Sequence, residues 1–132
     1  MLFRSETLAK QFSKGVPGVL ERRSASMWAL GLLYENNPDP ALAARLHDRI
    51  QDRNSPNPER FPVRRFCLLA LGMMRSTASQ PIVQEAWEID DVSERLRGSA
   101  RWVHPLVGLA LPPAIAPIEQ PVGGWRLNPY TD

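Results

Sequence analysis

The chain has 132 residues and a formal net charge of +2, with 43% apolar and 23% charged residues, a composition typical of ordinary globular proteins. So balanced a charge provides no field to attract nucleic acid, and no apolar stretch of about 18 residues free of helix breakers is present to span a bilayer. The one cysteine, Cys67, excludes a disulfide within the chain and lies in an apolar helical pattern, which predicts a buried thiol.

A short helix is predicted near the N-terminus, over residues 5–14. Gly15 follows it in the position where a left-handed residue ends a helix, and Leu8 and Phe12 share a face that suits docking onto the next helix. The start of the chain is also weakly amphipathic and basic, as in targeting segments. We therefore expect a cytoplasmic protein, with an organellar location as the alternative.

The first long helix is predicted over residues 20–34. Its apolar residues cover most of its circumference, so it is expected to be buried on more than one side, with Trp28 in the core. A turn follows, in which Asp39 is the expected N-cap and Pro40 the first helical residue. The second helix runs to about residue 52 and carries a narrow apolar stripe at spacing four, so one of its faces should meet solvent.

A connector rich in proline and asparagine occupies residues 53–62, and a second long helix is predicted over residues 63–75. A shorter helix then runs from about residue 80 to Trp87, whose ring is expected to point inward. A third, degenerate unit covers residues 95–118, where Pro105 is expected to kink the long helix. Residues 112–132 are predicted to form an extended tail rich in proline and glycine.

The long helices are related by an internal repeat. Residues 23–33 return in altered form 41 positions later as residues 64–74, and the starts of the second helices are separated by the same interval. Stacked helical hairpins repeat with a period near 40, because each unit needs its neighbours to complete its core. The pattern predicts an all-α protein with Leu69 and Leu71 in the core. Gly31 and Gly72 stand near the helix ends, where bulk would hold the next unit away.

Residues 64–72, Arg-Arg-Phe-Cys-Leu-Leu-Ala-Leu-Gly, resemble the first-helix pattern of HEAT-like repeats, in particular the short bacterial type found in phycobilin lyases. Residues 23–31 are a second copy. The resemblance implies an armadillo-like α-solenoid, a short α-α superhelix over residues 1–111 made of repeats at about 20–52, 63–90 and 95–118. It further implies convex first helices, concave second helices, and an Asp-to-Arg ladder from Asp52 to Arg64 and from Asp90 or Asp91 to Arg101.

Catalytic and ligand-binding motifs are absent from the sequence. It contains no glycine-rich phosphate loop and no nucleophile elbow, and neither His47 nor His104 has a second ligand at metal-binding spacing. The arginine pairs 22–23 and 64–65 each open a helix, where the macrodipole disfavours cations, so structural pairing with carboxylates is expected. We expect no cofactor, no metal and no small-molecule ligand.

These observations favour a non-catalytic scaffold or protein-binding module, which is also what the HEAT-like resemblance most often implies. The partner would be another protein, bound by the mixed charges of the second helices and by tail aromatics without a helical stripe to bury them. The expected contact residues are Arg45, Asp48, Arg49, Asp52, Gln84, Glu85, Glu88, Trp125 and Tyr130.

Two other functions stay open at this point. The amphipathic start and the proline-rich apolar segment would suit an accessory subunit of a membrane-bound or organellar complex. A helical-repeat enzyme, similar to DNA glycosylases or chromophore lyases, would need aromatics and a carboxylate in the groove, where only Trp87 with Glu85 or Glu88 could begin such a site.

Overall fold

The computed structural model describes residues 20–54, 56–89 and 96–114, and these form helices without any β-strand. The all-α prediction is therefore confirmed for this part of the chain. The predicted helix over residues 5–14, together with Asp90, Asp91, Trp125 and Tyr130, lies outside the described residues. The α-helices are α1 (Leu20–Leu33), α2 (Pro40–Gln51), α3 (Phe61–Met74), α4 (Gln80–Glu88) and α5 (Leu96–Val103), and two 3-10 turns cover Thr77–Ser79 and His104–Val107.

The start of α2 follows its sequence signals. The Asp39 carboxylate accepts a hydrogen bond of 3.0 Å from the Leu42 amide, and Pro40 occupies the first turn, where its missing donor costs nothing. Helix α3 begins at Phe61, two residues before its predicted start, because Pro62 stands in the first turn and not in the connector. Its end is closed by Arg75, whose φ of 59° places it in the left-handed region.

The third unit differs from a single kinked helix. Helix α5 ends at Val103, and the chain tightens into the 3-10 turn that contains Pro105. Proline lacks the amide that an α-helix would need at this point, so the α-helical pattern stops just before it. Gly108, with a φ of 90°, then closes the turn, and the Leu109 amide donates to the His104 carbonyl at 2.9 Å.

Helix α3 lies at the centre of the described structure. It packs against α1, α2 and α5, while α4 packs against α5. Leu71 is fully buried in the core, as predicted. Leu69 is only half-buried and lies at the core's edge, so that prediction was wrong: its side of α3 faces a surface groove instead of a neighbouring helix.

Two glycines permit close contact between the long helices. A Cβ on Gly31 would lie 3.0 Å from the Ala70 Cα in α3, and a Cβ on Gly72 would lie 3.0 Å from the Val103 Cγ2 in α5. Both distances are shorter than carbon atoms normally tolerate. The expectation that bulk at these positions would hold the next unit away is confirmed.

A buried ion pair joins α1 to the connector before α3. Both terminal nitrogens of Arg23 donate to the carboxylate of Glu59, at 2.7 and 2.5 Å, and the side chain of Glu59 is 0% exposed. The fully buried Arg64 donates from Nε to the Ile50 carbonyl at 2.9 Å. Arg23 therefore has a structural carboxylate partner, as expected. The partner is a connector glutamate, and the Asp-to-Arg ladder stays a prediction.

None of the helices in the described ranges combines the length and apolar character that a bilayer crossing requires.

Candidate binding groove

An open groove crosses the face on which α1, α3 and α5 lie side by side. Its floor is a stripe at spacing four on α3, and its walls come from α1 on one side and α5 on the other. The groove has a volume of about 620 Å³. We call it the aromatic groove, and its lining residues are Trp28, Phe61, Arg65, Leu69, Gly98, Ser99 and Trp102.

Two tryptophans from opposite walls reach solvent in this groove. Trp28 is 38% exposed and Trp102 is 50% exposed. The prediction that Trp28 belongs to the core was wrong. Met27, one residue earlier, takes the buried position, and Trp28 packs edge-to-face against Phe66 with ring centroids 6.1 Å apart. The apolar circumference of α1 is thus wider than the surface that α3 covers.

Arg65 places a positive charge on the floor of the groove. Its Nε donates to the Ser99 Oγ at 3.1 Å, and its guanidinium carbon lies 5.9 Å from the centre of the Phe66 ring. Within the described ranges no carboxylate forms an ion pair with Arg65, and none lines the groove. The groove is therefore aromatic and locally cationic.

A second groove shares Trp28 with the aromatic groove as a lining residue. It has a volume of about 390 Å³ and an almost wholly apolar lining from α1 and the start of α3. The lining residues are Leu20, Glu21, Ser24, Ala25, Trp28, Pro62 and Phe66.

The predicted partner surface on the second helices is partly occupied by internal contacts. Arg49 lies 3.6 Å from Asp52 and 3.5 Å from Glu59. Glu85 accepts from Arg53 at 2.9 Å and from Gln51 at 3.2 Å, which ties α4 to the end of α2. The remaining predicted residues of this surface are exposed on their helices, namely Arg45, Asp48, Gln84 and Glu88.

Trp87, the aromatic residue that the helical-repeat enzyme hypothesis requires, is half-buried. The guanidinium of Arg97 lies 4.5 Å from the centre of its ring, and the ring of His104 packs edge-to-face at 6.1 Å. Glu85, one of the two carboxylates that could act beside Trp87, is paired with Arg53, and the other, Glu88, is exposed on α4.

A polar network of the half-buried His47 and two buried serines joins α2 to the turn before α4. His47 Nε2 lies 2.7 Å from the Ser79 Oγ, which lies 2.7 Å from the Ser76 Oγ. Serine beside histidine is a nucleophile–base combination, but both serines are buried, so a substrate cannot reach them. Burial lowers the pKa of His47, and the charge of Asp48 opposes that effect only in part. The network is therefore built around a neutral imidazole.

This network makes stability depend on pH. Because the folded-state pKa of His47 lies below its ordinary value of 6.5, the fold binds fewer protons there than the unfolded chain does. The stabilisation is complete above pH 6.5 and is lost as the pH falls below it. Urea unfolding should give the wild type a lower free energy of unfolding at pH 5.5 than at pH 7.5. The same difference should be smaller in His47→Gln. An equal decrease in both proteins would contradict this role.

Other reactive groups are equally enclosed. Cys67 is fully buried, and burial raises the pKa of its thiol well above the ordinary range, so it is protonated and inaccessible. In the described part of the chain no three histidine, cysteine, aspartate or glutamate side chains converge as a metal site would require.

Comparison of the chain with protein-family models, curated proteins and solved structures gives no match. The groove was missed at the sequence level because its residues come from three helices. One signal was present: helical spacing puts Gly98 and Trp102 on the face of α5 opposite to Ala100 and Val103, which leaves an aromatic on the exposed side.

Proposed function

We propose that this protein is a non-catalytic module that binds another protein through the aromatic groove. The observation that carries the proposal is the position of Trp28 and Trp102, exposed on opposite walls above Arg65. Tryptophan and arginine dominate the energetics of protein interfaces, and hot spots concentrate in pockets that partner side chains can fill. An open groove of this kind suits an extended segment of the partner better than a small molecule, which would need enclosure.

The proposed scaffold is a short HEAT-like α-solenoid. Two features support it: the first helices α1, α3 and α5 are consecutive neighbours, and Gly31 and Gly72 permit equivalent close contacts between them. In such a scaffold the aromatic groove lies on the side of the first helices. We therefore assign the main partner surface to the first helices and not to the second helices, where Arg49 and Glu85 form internal ion pairs.

The exposed charges of the second helices and the tail residues Trp125 and Tyr130 stay predicted as additional contacts. A cytoplasmic location also stays a prediction, as do the organellar alternative, the accessory-subunit function and the helical-repeat enzyme. No observation on the described residues favours either alternative function.

The proposal predicts a groove-dependent interaction. Trp28→Ala combined with Trp102→Ala should weaken partner binding at least ~30-fold, because loss of an aromatic anchor typically costs about 2 kcal/mol or more. The measurement is quantitative affinity enrichment from native extract, followed by titration of each enriched protein. Leu32→Ala is the matched control, since Leu32 is 49% exposed on α1 outside the groove. Equal recovery of every partner by the double variant and the control would contradict the proposal.

A further inference from the structure

Gly98 differs from the two glycines that pack between helices. A Cβ at Gly31 or Gly72 would meet a neighbouring helix at 3.0 Å, whereas a Cβ at Gly98 would meet none of the described residues within 4 Å. Its φ is not in the left-handed region either. Glycine weakens a helix interior, and here neither contacts with the described residues nor the backbone conformation requires a glycine. Because Gly98 has no side chain, the α5 wall of the aromatic groove is flat beside Trp102.

The charge of the groove indicates what the bound segment must carry. Arg65 is exposed on the floor, and the described residues that line the groove include no acid to neutralise it. Among the described residues its hydrogen bond in the groove runs from Nε to the Ser99 Oγ, and a hydroxyl supplies no negative charge to balance the guanidinium. A carboxylate is the complement that a guanidinium recognises best, because it can accept parallel hydrogen bonds.

The two indoles indicate the conformation of that segment. Aromatic-lined grooves bind proline-rich segments, whose polyproline II backbone is already ordered and whose carbonyls are free to accept hydrogen bonds. Trp28 and Trp102 offer flat apolar surfaces on both walls, and Gly98 leaves room for a ring between the wall and the floor. An amphipathic helix would instead lay an apolar stripe over Arg65 and bury its charge without a partner, which is unfavourable.

We infer that the aromatic groove binds an extended, proline-containing segment of another protein that carries one carboxylate. The carboxylate pairs with Arg65, and the proline rings pack on Trp28 and Trp102 beside Gly98. This inference rests on the proposed function and adds the chemistry of the partner.

The test uses a displayed library of random 12-residue peptides, selected on the full chain and counter-selected on Gly98→Leu. Leucine at this position fills the groove from a site where its Cβ has open space, and it favours the helix more than glycine does. Gly98→Ala is the matched control, since a methyl group leaves most of the groove open. Enriched peptides should contain at least two prolines and one acid, and should bind Gly98→Leu at least ~10-fold more weakly than Gly98→Ala.

A charge exchange tests the role of Arg65. Arg65→Glu should bind the selected peptides at least ~10-fold more weakly than the wild type does. When the acid of the peptide is replaced by lysine, binding to Arg65→Glu should be restored. Denaturant unfolding of each variant checks that the fold is retained. Enrichment of peptides without proline and acid, or no enrichment over Gly98→Leu, overturns the inference. Self-association that Gly98→Leu abolishes would assign the groove to a second copy of the chain and overturns it too.

The outcomes separate this inference from the proposed function. If the tryptophan variants lose a protein partner but the library selects another chemistry, only the chemistry assigned here is wrong. If neither the partner nor the peptides depend on the groove, both the inference and the proposed function fail.

Discussion

Replacing Glu59 with glutamine is expected to lower the free energy of unfolding by about 3–5 kcal/mol, the usual cost of removing one member of a buried ion pair. Arg23 donates twice to this carboxylate, and the Arg23 side chain is only 7% exposed. The substitution preserves the shape of residue 59 but leaves the guanidinium charge without its partner. Arg49, 3.5 Å from the same carboxylate, loses a favourable contact as well.

Urea unfolding at pH 7 measures this loss, and Glu88→Gln is the control, because Glu88 is exposed on α4 and its substitution should change stability by no more than about 0.5 kcal/mol. Combining Arg23→Met with Glu59→Leu should recover much of the loss, since the buried charge is then absent. A cost below about 1 kcal/mol for Glu59→Gln would show that water compensates Arg23 and that the pair contributes little.

The same pair should affect stability in acid. Burial by itself would raise the pKa of Glu59, but the hydrogen bonds from Arg23 and the Arg60 amide, with the charges of Arg23 and Arg49, together lower it below the ordinary 4.5. Its stabilisation is therefore complete above pH 4.5 and is lost as the pH falls through the lower folded-state pKa. This loss begins at a lower pH than the loss that involves His47, which begins at pH 6.5. Glu59→Gln should abolish the loss of stability that begins at pH 4.5 and should retain the loss that begins at pH 6.5.

Leu71→Ala should destabilise the protein by about 2–5 kcal/mol, because it opens a cavity in the centre of α3. Leu69→Ala is the matched comparison: the same chemical change, two residues earlier in the same helix, at a half-buried position on the floor of the groove. Its cost should be clearly smaller, since neighbouring atoms do not enclose the side chain on every side. Chemical denaturation of both variants measures the two losses in the free energy of unfolding. Equal losses would mean that the groove is closed in solution.

Local rules explain why the starts of the second helices, α2 and α4, could be predicted. The Asp39 cap and the proline after it act within four residues, and so does the proline in the first turn of α4. The repeated glycines were also interpretable, because their equivalence at the same place in two copies implies equivalent packing. Pro105 similarly marked the point at which α5 stops being α-helical, although the 3-10 turn that follows it was not foreseen.

Features that depend on distant residues could not be predicted in the same way. Glu59 lies in a proline-rich connector, and no periodicity indicates that it is buried against an arginine 36 residues earlier. The exposure of Trp28 depends on how far α3 extends over α1, which helical spacing does not encode. The aromatic groove needs the α1 and α5 walls together with the α3 floor, so only the arrangement of three helices reveals it.

The central position of α3 has a consequence for how the protein opens. Helices α1, α2 and α5 all pack on it, so its backbone amides meet solvent only when most of the fold has come apart. The α3 amides should therefore be the slowest to exchange with deuterium, at rates that report global unfolding. Among the described helices, α1 packs chiefly on α3. Its release would break the contact between Arg23 and Glu59 and remove one wall of the groove. If the groove binds a partner as proposed, loss of binding and loss of local order at the first helix are one event.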